Sequence, residues 1–184
     1  MAVKPKRMKS VWLYHLNTGG CNACDIEVLA ALSPRYDPER FGMKLVESPR
    51  HADVIIFTGP VTYQALPRAI EVFRVARPIG VLAVGACACG GGIWHDSAAV
   101  LGGLDPLLEL LKKMGVKVPE KIVKLPGCPP RPHAILYAAA VLAGVIEPRS
   151  AASGQSRYSS PSQIAERLAH RETGEAQEPS QQHR

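Results

Sequence analysis

The sequence predicts an α/β fold: a mostly parallel sheet with helices on both faces, followed by a polar, largely disordered C-terminal tail. Two patterns carry this expectation. Short apolar runs alternate with segments of helical periodicity, joined by short loops. Three of the runs, Val11 to Leu16, Gly80 to Val84 and Lys121 to Leu125, lead straight into Gly19-Gly20-Cys21, Gly85-Ala86-Cys87 and Gly127-Cys128. The carboxyl ends of neighbouring parallel strands share one edge, which is where an open α/β sheet places its site.

Taken in order, Val11 to Leu16 is the first strand. The periodic segment from Cys24 to Leu32 is a helix closed by Ser33-Pro34, because proline pushes the preceding residue out of helical conformation. Met43 to Val46 and Asp53 to Thr58 read as buried strands, the second ending at the turn Gly59-Pro60. Gln64 to Ala76 is a helix that stops ahead of Arg77-Pro78, and Gly80 to Val84 is the next strand. Leu104 to Met114 is a helix with Gly115 as its stop, Lys121 to Leu125 a strand, and Arg131 to Ile146 the last helix. There is no internal repeat.

At 184 residues the chain is long enough for one domain with a real core plus a tail. The expected organisation is a basic arm over residues 1–10, an α/β domain over 11–146 and a polar tail over 147–184. The tail is rich in Ser, Gln, Glu and Arg, with too few large apolar side chains to offset the entropy of ordering. Its one helical pattern is Pro161 to Arg171, with Ser160 as cap and Ile164 and Leu168 four apart.

Charge and hydropathy narrow the function classes. Twenty-two Lys and Arg against 16 Asp and Glu leave a formal charge of +6. The tail beyond Ile146 holds five of each sign, so the surplus belongs to the rest of the chain. No helix-turn-helix, aromatic RNA-binding signature or finger spacing accompanies it, which argues against nucleic acid as partner. An acidic protein or an anionic membrane surface suits it equally well. The apolar stretch after the basic N-terminus is too short for a signal peptide. The longest apolar run, Ala134 to Ile146, has 13 residues where a membrane span needs about 20. A soluble or peripheral chain is expected, in which cysteines in Gly-rich loops read as metal ligands rather than disulfides.

Cys21-Asn22-Ala23-Cys24 is a two-ligand chelate at a helix entrance, where free backbone N–H groups and the helix dipole favour thiolate and an anionic cluster. Cys87 and Cys128 follow singly, 63 and 104 residues after Cys24. Structural zinc usually takes two close pairs in a small knuckle. Cys128-Pro129 is the Cys-Pro pairing of iron-sulfur loops. Ligand type and placement therefore favour a 4Fe-4S cluster on Cys21, Cys24, Cys87 and Cys128, with zinc and a disulfide pair as the alternatives. Cys89 is then the spare thiol, a buried neighbour; exchange of Cys87 and Cys89 is the alternative assignment. The run Gly90-Gly91-Gly92 lets backbone come close to the cluster. It is not a phosphate loop, because Gly91-Gly92 stands where Lys and Ser/Thr are required.

Several motifs, in order, resemble one family. Gly19-Gly20-Cys21-Asn22-Ala23-Cys24-Asp25-Ile26-Glu27, Leu32-Ser33-Pro34-Arg35-Tyr36-Asp37, Thr58-Gly59-Pro60-Val61-Thr62, Gly85-Ala86-Cys87-Ala88-Cys89 and Pro126-Gly127-Cys128-Pro129-Pro130-Arg131-Pro132 are similar to the small subunit of energy-converting (group 4) NiFe hydrogenases, of the formate-hydrogenlyase and membrane-bound type. The resemblance covers most of residues 11 to 145. It implies a flavodoxin-like domain whose Cys21, Cys24, Cys87 and Cys128 hold one 4Fe-4S cluster, the proximal one. The homologous complex I subunit usually has its first two cysteines adjacent; here Asn22 and Ala23 separate them, pointing to the hydrogenase branch. Ala23 stands where a glycine is common, and the stretch Leu107 to Lys121 is longer than the family pattern suggests, which implies an added helix or a divergent branch.

The resemblance further implies partners: a large subunit carrying the NiFe site, a ferredoxin-like iron-sulfur subunit, and membrane subunits, with the chain peripheral on the cytoplasmic side. Sulfur-reducing and quinone-linked relatives share much of the pattern. One cluster passes one electron at a time and the sequence offers no second cluster, flavin motif or nickel pocket, so no catalytic residue is expected in this chain. Glu27, one helical turn past the chelate, is the candidate proton relay, against the plainer reading of local pairing. Arg131 sits at a helix start near Cys128; Trp94, His95 and Asp96 are candidate partner contacts. His15, in an alternating strand, reads as ordinary packing and His51 as a solvated loop residue.

Overall fold

In the computed structural model, residues 10–76 and 78–146 are described. The basic arm, save Ser10, and the tail expected over 147–184 lie outside them. Strand β1 (Val11–Asn17) is followed by α1 (Ala23–Ala31), β2 (Met43–Leu45), β3 (Val54–Thr58), β4 (Val61–Thr62), α2 (Leu66–Ala76), β5 (Gly80–Val84), α3 (Ala86–Gly90), β6 (Val100–Gly102), α4 (Leu104–Lys113), β7 (Lys121–Leu125) and α5 (Pro132–Leu142). Three single-turn 3-10 segments, Pro38–Phe41, Pro49–His51 and Gly92–Trp94, fill connections.

Five strands form one sheet in the order β2-β1-β3-β5-β7, every pair parallel. β3 and β5 are buried along their whole length, as central strands covered on both sides must be. The period of two divides their side chains between two cores. Val54, Ile56, Leu82 and Val84 face α1 and α5, meeting Val28, Ala31, Ile135, Ala139 and Leu142. Ile55, Phe57, Val81 and Ala83 face the other way, onto Ala69 and Phe73 of α2 and Leu107 and Leu111 of α4. This is the α/β fold with helices on both faces.

From β1 the chain first adds β2 on one side, then returns to build β3, β5 and β7 on the other. The loops leaving β1 and β3 therefore diverge, and the crevice between them is the topological switch point of the sheet.

The helix and strand expectations hold to within a few residues at each end, the largest trim being α5, which stops at Leu142 rather than Ile146. Two features were not anticipated. β4 and β6 pair antiparallel as a second, two-stranded sheet, and Cys87 to Cys89 lie on a five-residue helix rather than in a loop. Strands of two or three residues and a helix of five carry no readable period. The stretch Leu107 to Lys121 holds the end of α4 and the approach to β7, with no additional helix.

Candidate metal centre

The first cysteine loop is shaped by Asn17, the last residue of β1. Its Oδ1 accepts the backbone N–H groups of Gly19 (2.8 Å) and Gly20 (2.9 Å), folding the chain back on itself. Asn22 then takes a left-handed conformation (φ 73°) and opens α1, so that Cys21 precedes the turn and Cys24 stands in the first helical turn. Cys21 is exposed and Cys24 half-buried. Across the switch point Gly59, just past β3, lies so close that a Cβ there would come within 2.3 Å of the Gly20 nitrogen.

The other two loops are tied to each other. Gly85 N–H donates to Leu125 O (2.9 Å) and Ala86 N–H to Gly127 O (2.8 Å), so the entry to α3 and the exit from β7 move as one. Cys87 lies on α3, and Gly91 N–H closes its turn on Cys87 O (2.8 Å). Cys128 follows Gly127 and is exposed, and the Cys128–Pro129 peptide is cis.

Cys21, Cys24, Cys87 and Cys128 together line one small hollow, floored by backbone of Gly20, Gly59 and Gly127. All five cysteines are free thiols. Burial pushes the Cys24 thiol up to about 11, with Asp25 and then the other three thiols adding to it. Cys87 is also raised, by burial and then by Cys128 and Cys21. Gathered thiols of this kind resist ionisation until a cation deprotonates them.

Two glycines show how closely backbone has been fitted to sulfur. Gly85 has φ +92°, and a Cβ there would lie 2.5 Å from Cys24 Sγ; Gly92 has φ +57°, and its Cβ would lie 2.7 Å from Cys87 Sγ. Both positions need glycine for conformation and for space. Among the described residues, no three His, Cys, Asp or Glu side chains close on a point that would hold one metal ion.

Cys89 lies apart from the hollow. It packs against the core between the sheet and α2 and α4, and its thiol points at Ala83 O (3.8 Å). Burial raises its pKa as well. Glu27 is half-buried on α1. Arg131 is the exposed N-cap residue of α5, without a side-chain capping bond. Trp94, His95 and Asp96 are exposed beyond the glycine run, with His95 Nδ1 3.1 Å from Gly92 O. His51 is exposed, its ring edge-on to Trp12 at 5.8 Å.

His15 does more than pack. Its Nε2 is 2.8 Å from Asp25 Oδ1 and 3.0 Å from Thr58 Oγ1. Asp25 is 5% exposed; its Oδ1 also accepts from Thr58 Oγ1 (2.6 Å) and its Oδ2 from Asn17 Nδ2 (2.6 Å). A buried carboxylate next to Cys24 is thus held by β1, by β3 and by the residue that shapes the Cys21 loop. The signal for it was in α1: Asp25, Val28 and Ala31 recur every three residues and form the buried stripe of that helix, and a carboxylate on such a stripe requires partners.

Residues 21–142 match the protein family described as NADH ubiquinone oxidoreductase, 20 Kd subunit. The chain belongs to this family. Its members are subunits of oxidoreductase complexes, and the 20 Kd subunit family includes hydrogenase relatives. This 20 Kd-type chain is 48% identical over 130 residues to the probable membrane-bound hydrogenase subunit mbhJ of Pyrococcus furiosus, covering 70% of this chain and 71% of that one. It is 41% identical over 150 residues to formate hydrogenlyase subunit 7 of Escherichia coli, covering 81% of this chain and 54% of the other, so it spans about half that relative's length. Among solved structures, a chain of the membrane-bound sulfane sulfur reductase, an archaeal respiratory membrane complex, superposes with a TM-score of 0.57 at 34% identity, over 77% of this chain and 72% of that one. The resemblance to the hydrogenase small subunit and its complex I homologue holds.

Proposed function

We propose that this chain is the electron-transfer subunit of a membrane-associated NiFe hydrogenase complex, with one 4Fe-4S cluster held by Cys21, Cys24, Cys87 and Cys128. The observation that carries the reading is the convergence of four thiols from three strand ends on one hollow, with glycine wherever a Cβ would strike a sulfur. One close cysteine pair with the other two thiols brought singly from distant strand ends suits an iron-sulfur cluster better than structural zinc, which usually takes two close pairs.

Bound there, an iron-sulfur cluster would supply one-electron transfer. The chain's own residues supply position and access. Cys24 and Cys87, half-buried, form the inner side of the hollow, while exposed Cys21 and Cys128 form its rim. An electron entering this site is therefore near the molecular surface, where a partner can take it. Two-electron chemistry belongs to that partner: a large subunit with the NiFe site, fed by a ferredoxin-like iron-sulfur subunit and coupled to ion movement by membrane subunits. Among the described residues no helix is long and apolar enough to cross a membrane; the proposed place of the chain is peripheral, on the cytoplasmic side of those membrane subunits. Glu27, half-buried one helical turn past Cys24, is the proposed proton relay toward that interface.

The second reading keeps the cluster and changes the acceptor. Likeness to the sulfane sulfur reductase chain and to the 20 Kd family of NADH ubiquinone oxidoreductase supports a sulfur- or quinone-linked complex. The co-purifying large subunit separates the two, since only a hydrogenase partner carries two Cys-x-x-Cys pairs able to bind nickel. For the cluster itself, Cys128→Ser is expected to lose the iron and the visible absorption band, and Cys89→Ser to retain both. Equal iron loss in the two variants, or zinc in place of iron in the unaltered complex, would refute the assignment.

A further inference from the structure

The hydrogen-bond hub at Asp25 has no part in the ligand set, yet every strand end that shapes the first cysteine loop meets there. Asn17 uses both ends of its amide: Oδ1 holds the N–H groups of Gly19 and Gly20, and Nδ2 donates to Asp25 Oδ2. Thr58, fully buried at the end of β3, donates to Asp25 Oδ1. His15 completes the set through Nε2. Three donors on one carboxylate satisfy it fully, and no buried polar side-chain atom among the described residues lacks a partner.

Hydrogen bonds from Asn17 and His15 on β1 and from Thr58 on β3 clamp this carboxylate in one orientation. Its charge is buried one residue from Cys24, in surroundings of low effective dielectric, where Coulombic interactions are strong.

We propose that Asp25 is a positioning and tuning residue for the metal centre: through Asn17 it fixes the Cys21–Cys24 chelate loop, and through its buried charge it lowers the reduction potential of the group bound there. This rests on the cluster assignment above. Reduction adds a negative charge to the cluster, and a fixed anion alongside opposes that addition.

Asp25→Asn removes the charge and keeps the shape and one acceptor oxygen. In the purified complex, a redox titration followed by electron paramagnetic resonance is expected to shift the balance toward the reduced cluster by about tenfold, equivalent to about 59 mV for one electron. Asn17→Ala, which frees the loop and takes one donor from the carboxylate, is expected to lower iron per chain and to lower the midpoint of the remaining clusters, opposite in sign to Asp25→Asn. Glu71→Gln, on an exposed i,i+3 pair of α2, is the control and changes neither. Should the Asp25→Asn complex fail to assemble, Thr58→Val carries the test: it leaves the carboxylate one donor fewer, and the midpoint falls. A fully loaded Asp25→Asn complex with an unmoved midpoint, or an unmoved midpoint in Thr58→Val after failed assembly, overturns the proposal. Absence of iron and of any paramagnetic signal in the reduced, unaltered complex would instead sink the cluster assignment.

Discussion

Cys24 shows how a single residue can be legible in sequence and still gain its character from the fold. Its spacing from Cys21 and its Gly-rich approach mark it as a ligand. Its resistance to ionisation comes from burial, from neighbouring Asp25 and Cys21, and from Cys87 and Cys128, which are brought from elsewhere in the chain. This has a consequence for pH. An unfolded cysteine ionises near 9.0, whereas folded Cys24 holds its proton up to about 11. Between those values the unfolded chain binds fewer protons than the folded one, so stability falls as pH rises. The metal-free chain is expected to keep its full stability below about pH 9 and to lose the Cys24 contribution as pH climbs to about 11. Thermal unfolding followed across this range checks it: the unaltered chain should decline more steeply than Cys24→Ala. His15 is the opposite case, a residue whose alternating strand pattern suggests packing alone, because nothing within its own segment reveals Thr58 or Asp25.

At the scale of elements, α3 and the turn before it decide whether the thiols can meet. Gly85 has a backbone conformation that side-chain-bearing residues rarely adopt, and it faces Cys24 Sγ. Gly85→Ala is expected to destabilise the domain by about 1–3 kcal/mol through backbone strain and sulfur crowding, and to reduce iron content together with the thermal midpoint. A loss of stability with full iron would mean the cysteine loops adapt independently of that turn. The strands β3 and β5 were readable because four or five consecutive apolar residues between Gly and Pro punctuation leave few alternatives. The β4–β6 pair was not. Two-residue strands are stabilised by where they lie, here by Thr62 N–H donating to Thr18 O across the first loop (3.1 Å), rather than by propensity.

At the scale of the whole molecule, one edge of the sheet carries the chemistry while the two cores flanking the sheet hold that edge in place. The cysteine loops are joined to their neighbours by backbone hydrogen bonds, by the Asp25 hub and by the hydroxyls of Thr18 and Thr62. Binding that the folded state alone can offer adds to stability. Stripping iron from the intact complex with a chelator under oxidising conditions is therefore expected to lower the thermal midpoint, and reconstitution to restore it. An unchanged midpoint would show that the fold is stable without its metal. The sequence by itself determined the layer architecture, the position of each cysteine loop and the family motifs, since hydrophobic period, glycine turns and ligand spacing are written within a few neighbouring residues. Only the tertiary structure decided that three loops share one hollow, that Cys89 turns away from it toward Ala83, and that Asp25 is clasped by His15, Asn17 and Thr58. Those relations depend on strand order and register, which join residues 33 positions apart in the case of Thr58 and Asp25 and which no local window of sequence contains.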